Sequence, residues 1–244
     1  MGGMARDIAM DPPLAGTQRR ESLAYFVTKR MIDIFLAASI LVIFSPLLLA
    51  IAFAIKVDSP GPVFFTQERL GGRRRGLGSV TWHVEPFRLA KFRTMHVDAD
   101  VGLHRTYMSA YIKGDTRAVD ALRSSEATFK LTTDPRVTRL GRRLRKLSLD
   151  ELPQLWNVVR GEMSLVGPRP PIPYEVEHYR DVHLTRLACT PGMTGLAQVH
   201  GRGNLDFEAT VHLDLDYIDR RSTWLDLSIL LRTVPVVVTG RGAG

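Results

Sequence analysis

Two adjacent carboxylates, Asp150 and Glu151, follow a basic run at 142–146. Nearby cations favour the ionised form of a carboxylate, which is the form that attacks phosphorus or binds a metal ion. Adjacent carboxylates can also divide this work, one acting as nucleophile while the other binds Mg²⁺. A structural alternative is a capping box, in which Ser148 and Glu151 satisfy the free N–H groups at a helix start. The residues by themselves leave both interpretations open.

Further cationic motifs could contact phosphate. The prolines of the Gly-Pro-Arg-Pro-Pro segment at 167–171 stiffen the chain around Arg169, and a fixed guanidinium can bind phosphate oxygens in bidentate fashion. Lys91 and Arg93 follow a predicted strand and could add two more contacts. The alternatives are a solvated arginine in an ordinary turn for Arg169, and anchoring at a membrane surface for Lys91 and Arg93.

Composition and motif searches exclude several classes of protein. The single cysteine, Cys189, rules out an internal disulfide and a cysteine-cluster metal site. The seven histidines lack metal-ligand spacing, and the absence of Walker A and G-x-G-x-x-G motifs argues against an NTPase or a Rossmann dehydrogenase. A net charge of +8 indicates an anionic partner. Nucleic acid fits poorly, because the basic residues gather around an apolar segment.

That apolar segment runs over residues 34–55, which are 22 residues without a formal charge. Its length suffices to cross a hydrocarbon layer of about 30 Å. Pro46 predicts a kink, and the Ser45 hydroxyl can pair with a carbonyl that the proline leaves free. Both flanks are basic, whereas a single crossing usually has one clearly more basic side. We therefore predict a re-entrant hairpin with both ends on the cytoplasmic face. A straight crossing and a buried helix of a soluble protein are the alternatives.

The predicted fold class is α+β and helix-dominated, in a monotopic membrane protein with amphipathic interfacial helices. We assign residues 1–28 to a flexible tail, 29–57 to the re-entrant helix and 58–244 to a cytoplasmic catalytic domain. The triple arginine at 73–75 favours attraction to anionic lipid, worth about 1 kcal/mol per charge.

Within the catalytic domain the pattern predicts a short β-hairpin. Its strands lie at 63–65 and 80–89, and a basic, glycine-rich loop at 66–78 joins them. Residues 98–130 read as polar helices to which we assign no site residues. Residues 207–238 predict one or two amphipathic helices.

Several longer motifs follow one another in order from about Lys29 to the end of the chain. They are Lys29-Arg30-x-x-Asp33, Ser59-Pro60-Gly61-Pro62-Val63-Phe64, Gln67-x-Arg69-x-Gly71, Lys91-Phe92-Arg93-Thr94-Met95, LSLDELPQ at 147–154, GEMSLVGPRP at 161–170, and PGMTG at 191–195 with Gln198 and Gly201-Arg202. Together they resemble the bacterial sugar transferases, the monotopic phosphoglycosyl transferases that start glycan assembly on a polyprenyl phosphate. Longer members carry a membrane bundle ahead of this region, so the chain resembles a catalytic domain standing nearly alone.

The resemblance implies a re-entrant helix broken at Ser45-Pro46 and a Mg²⁺-dependent ping-pong reaction. Asp150 would attack the β-phosphorus of a UDP-sugar, release UMP and carry a sugar-phosphoryl group. The phosphate of a polyprenyl (undecaprenyl) carrier would then accept that group, while Glu151 binds Mg²⁺. The implied location is the cytoplasmic face of the bacterial inner membrane, where anionic lipids are partners. A homodimer is the oligomer considered.

The resemblance also implies that Lys91, Arg145 and Arg169 hold phosphates or neighbouring carboxylates. Gln198 and Arg202 are hypothesised to lie near the nucleotide or the sugar. Two competing functions stay open: a non-catalytic scaffold of a glycan-assembly complex, and a glycosyltransferase that moves the sugar without its phosphate. Glucose, galactose and an acetamido sugar are the alternatives for the sugar that is transferred.

Overall fold

A computed structural model describes residues 22–239 except 77–79, 98–101, 125–133, 135 and 202–204. In chain order its elements are α1 (Leu23–Ile43), α2 (Ser45–Asp58), β1 (Phe64–Arg75), β2 (Thr81–Phe92), α3 (Gly102–Ile112), α4 (Thr116–Ser124), α5 (Arg139–Lys146), α6 (Gln154–Arg160), β3 (Ser164–Val166), α7 (Pro173–Val176), α8 (Asp181–Leu184), β4 (Gly192–Thr194), α9 (Leu196–Gly201), α10 (Phe207–Arg220) and α11 (Thr223–Thr239). Single 3₁₀ turns occupy Leu149–Glu151 and Thr185–Leu187. The helix-dominated α+β class is confirmed. Most of the predicted tail lies outside the described residues, and α1 begins at Leu23, inside its last part.

The apolar segment forms two helices, α1 and α2, which meet at Phe44 with a bend of 62°. Pro46 lies in the first turn of α2, where a missing N–H costs nothing. The Ser45 hydroxyl donates to the carbonyl of Val42 at 2.8 Å, which satisfies one acceptor at the end of α1. The bend therefore lies where the Ser-Pro pair predicts it. Among the described helices none is long and apolar enough to cross a membrane alone, although the bent pair meets that criterion by length and composition.

Both helices of the bent pair pack one face against the rest of the chain. Ala37 of α1 is fully buried in the main core, while Ile51 and Ile55 of α2 pack with Phe92 and Leu144. The opposite faces carry apolar side chains that are more than 70% exposed: Phe35, Val42, Leu49, Phe53 and Val57. Among the described residues, the pair therefore packs on the domain through one face and leaves the other face exposed.

The predicted hairpin is confirmed, and its strands are longer than the pattern indicated. β1 and β2 pair in antiparallel register from Phe64 opposite Phe92 to Arg75 opposite Thr81. The predicted loop at 66–78 is thus wrong, because β1 continues through most of it. Gly72 is a strand residue that allows close backbone packing, since a Cβ there would lie 2.0 Å from the carbonyl oxygen of Leu187.

The main core lies between α1, the hairpin and the C-terminal helices. Its buried residues are Ala37, Phe87, Leu89, Leu155, Val158, Met163, Leu165, Val166, Cys189, Leu196, Tyr217, Ile218 and Ile229. A short parallel pair at its centre matches Ser164 of β3 with Gly192 of β4. The C-terminal prediction holds, because α10 and α11 occupy residues 207–239. Where the region 98–130 is described, it is helical, as α3 and α4.

Candidate active site

The carboxylate pair lies in the 3₁₀ turn Leu149–Glu151, between α5 and α6. Ser148, just before it, has φ +55, a left-handed conformation that costs a non-glycine residue roughly 1–2 kcal/mol. Its side chain makes no capping hydrogen bond, and the Glu151 carboxylate accepts a hydrogen bond from Lys91. The capping-box interpretation of Ser148 and Glu151 is therefore not what the chain adopts. Strained backbone of this kind is common at functional sites.

Lys91, near the end of β2, reaches this turn. Its Nζ lies 2.7 Å from Oε1 of Glu151, and both side chains are partly exposed. Asp150 is buried, with 7% of its surface exposed. Burial raises the pKa of Asp150 above its ordinary value, the charge of Lys91 opposes that rise, Glu151 adds to it and Arg145 again opposes it. The net shift of the pKa is upward, so the two cations offset only part of the burial that disfavours the ionised form of Asp150.

Arg145 is fixed in the last turn of α5 by contact with the residues that follow β2. Its Nε donates to Oγ1 of Thr94 at 2.9 Å. Gly141 allows this approach, because a Cβ there would lie 2.2 Å from the carbonyl oxygen of Thr94. Arg136, in bidentate contact with Asp134, lies within electrostatic reach of Arg145. Lys91 of β2 and Arg145 of α5 are thus the two cations that act electrostatically on Asp150.

The loop 167–171 is held from two sides. The backbone N–H of Gly167 donates to the carbonyl of Thr194 in β4 at 2.8 Å. From the other side, Nη1 of Arg69 in β1 donates to the carbonyl of Pro170 at 2.9 Å. Arg169 is exposed at the surface of this fixed loop. Burial lowers the pKa of Arg69 to about 10; the charge of Arg169 adds to this fall and that of Glu151 opposes it. Arg69 therefore binds the loop and lies within electrostatic reach of both Arg169 and Glu151.

The structure adds residues that no sequence motif indicated. His104 of α3 hydrogen-bonds to the hydroxyl of Tyr174 at 2.6 Å. Burial and then the charges of Arg169, Arg69 and Arg136 lower the pKa of His104 to about 4. Because α3 belongs to the region without assigned site residues, only the tertiary structure could show that His104 lies within electrostatic reach of Arg169. Arg69, in contrast, belongs to the Gln67-x-Arg69-x-Gly71 motif.

Arg93 makes its hydrogen bonds to the protein itself. Its guanidinium donates to the carbonyls of Ser59 at 2.7 Å and Pro60 at 2.5 Å, and to Oγ of Ser59 at 3.0 Å. Its side chain is buried, so these contacts fix the end of α2 to the end of β2. This arrangement gives Arg93 a structural role in placing the apolar helix pair.

Two candidate residues, Gln198 and Arg202, follow β4 in the chain. Gln198 of α9 is half-buried, and its Oε1 has no hydrogen-bond partner among the described residues. It lies beside Gly195, which in turn contacts the carbonyl of Gly167 at the base of the Arg169 loop. Arg202 lies outside the described residues.

The carboxylates suit one class of metal ion. Within the described ranges, no cluster of three or more His, Cys, Asp or Glu residues could hold a metal by itself. Mg²⁺ is usually bound through one or two carboxylates, together with water and substrate phosphates. The Asp150–Glu151 pair therefore fits Mg²⁺ that is shared with a phosphorylated substrate.

Sequence comparison identifies the class of protein. The model of the bacterial sugar transferase family matches residues 24–240, so the chain belongs to that family. This match covers α1 through α11 and includes the carboxylate turn and the Arg169 loop.

Individual relatives are about 40% identical to the chain. It is 39% identical to the exopolysaccharide production protein ExoY of Rhizobium meliloti, over 89% of this chain and 88% of the relative. It is 40% identical to the UDP-glucose:undecaprenyl-phosphate glucose-1-phosphate transferase of Caulobacter vibrioides, over 89% of this chain and 72% of the relative. It is 39% identical to the undecaprenyl-phosphate galactose phosphotransferase of Salmonella typhimurium, over 88% of this chain and 41% of the relative. The chain thus spans less than half the length of several relatives.

Proposed function

We propose that this protein transfers a sugar 1-phosphate from a UDP-sugar to polyprenyl (undecaprenyl) phosphate and releases UMP. The observation that carries this proposal is the buried Asp150 beside Glu151, in a turn that Lys91 contacts at 2.7 Å and Arg145 approaches from α5. The name of the Caulobacter relative states this donor and acceptor chemistry, and the name of the Salmonella relative states the same acceptor. The reaction would be the first membrane step of glycan or exopolysaccharide assembly.

In the first half-reaction, a carboxylate oxygen of Asp150 attacks the β-phosphorus of the donor. A new P–O bond forms to Asp150, and the bond to the leaving UMP breaks. In the second, a phosphate oxygen of the polyprenyl carrier attacks the same phosphorus and the aspartyl bond breaks, which regenerates Asp150. Both substrates are anions, so the charges of Lys91, Arg145 and Arg169 offset their mutual repulsion.

Glu151 is the residue that would hold Mg²⁺ together with substrate phosphates, where the ion would neutralise part of the diphosphate charge. The hydrogen bond from Lys91 orients Glu151 before the substrate arrives.

We further propose that α1 and α2 form a re-entrant membrane helix at the cytoplasmic face of the inner membrane. Support comes from the exposed apolar face of the bent pair and from basic residues on both flanks. The phosphate of an isoprenoid carrier lies at headgroup height. A site packed against the base of the helix pair would therefore meet it without extracting the lipid.

The test is nucleotide analysis with purified protein in detergent, Mg²⁺, polyprenyl phosphate and a panel of UDP-sugars. We expect UMP with one or a few donors, and its loss in Asp150→Asn. Asp219→Asn, which changes an exposed carboxylate on α10, is the matched control and should keep wild-type turnover. Release of UDP would instead identify a glycosyltransferase. Absence of either nucleotide with every donor would favour the scaffold.

A further inference from the structure

Asn157 is a buried amide on α6 to which the reaction above assigns no role. Only 2% of its surface is exposed. Its Oδ1 accepts a hydrogen bond from the backbone N–H of Ala90 at 3.0 Å, and its Nδ2 donates to the carbonyl of Arg88 at 2.8 Å. The side chain therefore binds the backbone of β2 as a neighbouring strand would.

A second contact fixes which way the amide faces. Nδ2 of Asn157 also donates to Oε2 of Glu162 at 2.6 Å. A carboxylate accepts hydrogen bonds and does not donate them, so the NH₂ group must point towards Glu162 and the oxygen towards Ala90. Each polar atom of the amide is thus engaged in a defined direction.

These hydrogen bonds join the two segments that carry the reacting groups. Ala90 is the residue before Lys91, and α6 begins three residues after Glu151. The distance of 2.7 Å between Lys91 and Glu151 depends on how β2 lies against α6. A shift of β2 by one residue would turn the Lys91 side chain to the opposite face of the hairpin.

We propose that Asn157 is a positioning residue for phosphosugar transfer, which holds Lys91 against the Asp150–Glu151 pair. The inference rests on the proposed function. It predicts that loss of Asn157 acts on catalysis through Lys91, whereas a general packing defect would act independently of Lys91.

A double-mutant cycle separates these cases. Asn157→Leu keeps the size of the side chain and removes its hydrogen bonds. We expect a fall in kcat for UMP release of roughly 10- to 100-fold with little change in KM for the donor, since the Lys91 contact acts on the reacting groups. In a Lys91→Met background, Asn157→Leu should cause no further loss, because its effect is already absent.

Glu162 supplies a second route that leaves Asn157 in place, in case Asn157→Leu does not fold. Glu162→Ala removes the acceptor that orients the Asn157 amide. It should therefore also lower kcat, and again only when Lys91 is present. Glu162→Gln keeps an acceptor oxygen and is the matched control, expected within about twofold of wild type.

Two results would overturn the positioning role while leaving the proposed function intact. One is that Asn157→Leu lowers kcat by the same factor in the Lys91→Met background as in the wild type, and the other is a wild-type kcat in Asn157→Leu. Wild-type protein that releases no UMP with any donor would overturn both.

Discussion

Lys29 and Asp33 lie one turn apart on α1, and both bind the backbone of strand β3. Nζ of Lys29 donates to the carbonyl of Val166 at 3.0 Å, while Oδ1 of Asp33 accepts from the N–H of Leu165 at 3.0 Å. The strand leads directly into the loop of Arg169. The first turns of α1 are therefore fixed to the segment that presents Arg169, a candidate phosphate-binding residue.

The charge of Lys29 is compensated by Asp226 of α11, 3.0 Å away, in a buried ion pair. Tyr25 and Tyr217 also donate to this carboxylate. We expect Lys29→Met to lower the free energy of unfolding by about 3–5 kcal/mol, because it leaves a buried carboxylate without its cation. Equilibrium unfolding in detergent measures the change.

Two further variants show whether that loss comes from the pair. Lys29→Met combined with Asp226→Leu should recover much of the lost stability, because the second change removes the buried carboxylate that lost its partner. Arg220→Ala, which removes the exposed pair with Asp216, should cost only about 0.5 kcal/mol. A double variant less stable than Lys29→Met would contradict this explanation.

Asp150 should carry the phosphosugar. Protein incubated with its UDP-sugar and no acceptor should gain the mass of one sugar phosphate and release one equivalent of UMP in a burst. In Asp150→Asn the adduct should be absent and turnover should fall roughly 1,000-fold or more, because an amide cannot replace the nucleophile. Intact-mass spectrometry makes the measurement. An adduct that persists in Asp150→Asn would assign the nucleophile elsewhere.

We expect Arg69 to affect the KM for the UDP-sugar, because it holds the loop 167–171 in place. Arg69→Met removes the hydrogen bond from Nη1 to the carbonyl of Pro170, so the position of Arg169 becomes less fixed. We expect KM for the UDP-sugar to rise by about tenfold, the cost of a loosened charge-assisted contact. Arg75→Gln, in the same strand but paired with Glu85 at the surface, is the control and should leave KM unchanged. Equal effects from both variants would count against the loop argument.

His104 should make stability depend on pH. Its pKa of about 4 in the folded chain lies below the ordinary value of 6.5, so the unfolded chain binds the proton more readily. The contribution of His104 is complete above pH 6.5 and is lost progressively as the pH falls towards 4. His104→Gln should flatten this part of the profile of melting temperature against pH. Identical profiles for His104→Gln and wild type would show that His104 is not the source of this pH dependence.

The re-entrant topology is tested by labelling. Single cysteines at Ala24 and Asp58, which flank the bent pair and are exposed, are introduced in a Cys189→Ser background. Both should react with a membrane-impermeant reagent only from the cytoplasmic side. Reaction of the two sites from opposite sides of the membrane would establish a straight crossing instead.

Features that depend on local covalent chemistry followed from the sequence. Pro46 lacks an N–H wherever it lies, so the bend near Ser45 could be predicted without knowing the neighbours. The adjacency of Asp150 and Glu151 is likewise fixed by the chain. The helical character of residues 207–238 follows from a periodicity that can be read locally.

The tertiary structure decided which partner each side chain meets. Gly72 suggests a loop until the carbonyl of Leu187, more than a hundred residues away, is seen to pack against it in a strand. Arg93 and Lys91 lie two residues apart, yet one binds the turn after α2 and the other binds Glu151. A charged side chain in a sequence has many possible partners, and only the packing of distant segments selects one. The same holds for Asn157, whose two backbone partners lie 67 and 69 residues away.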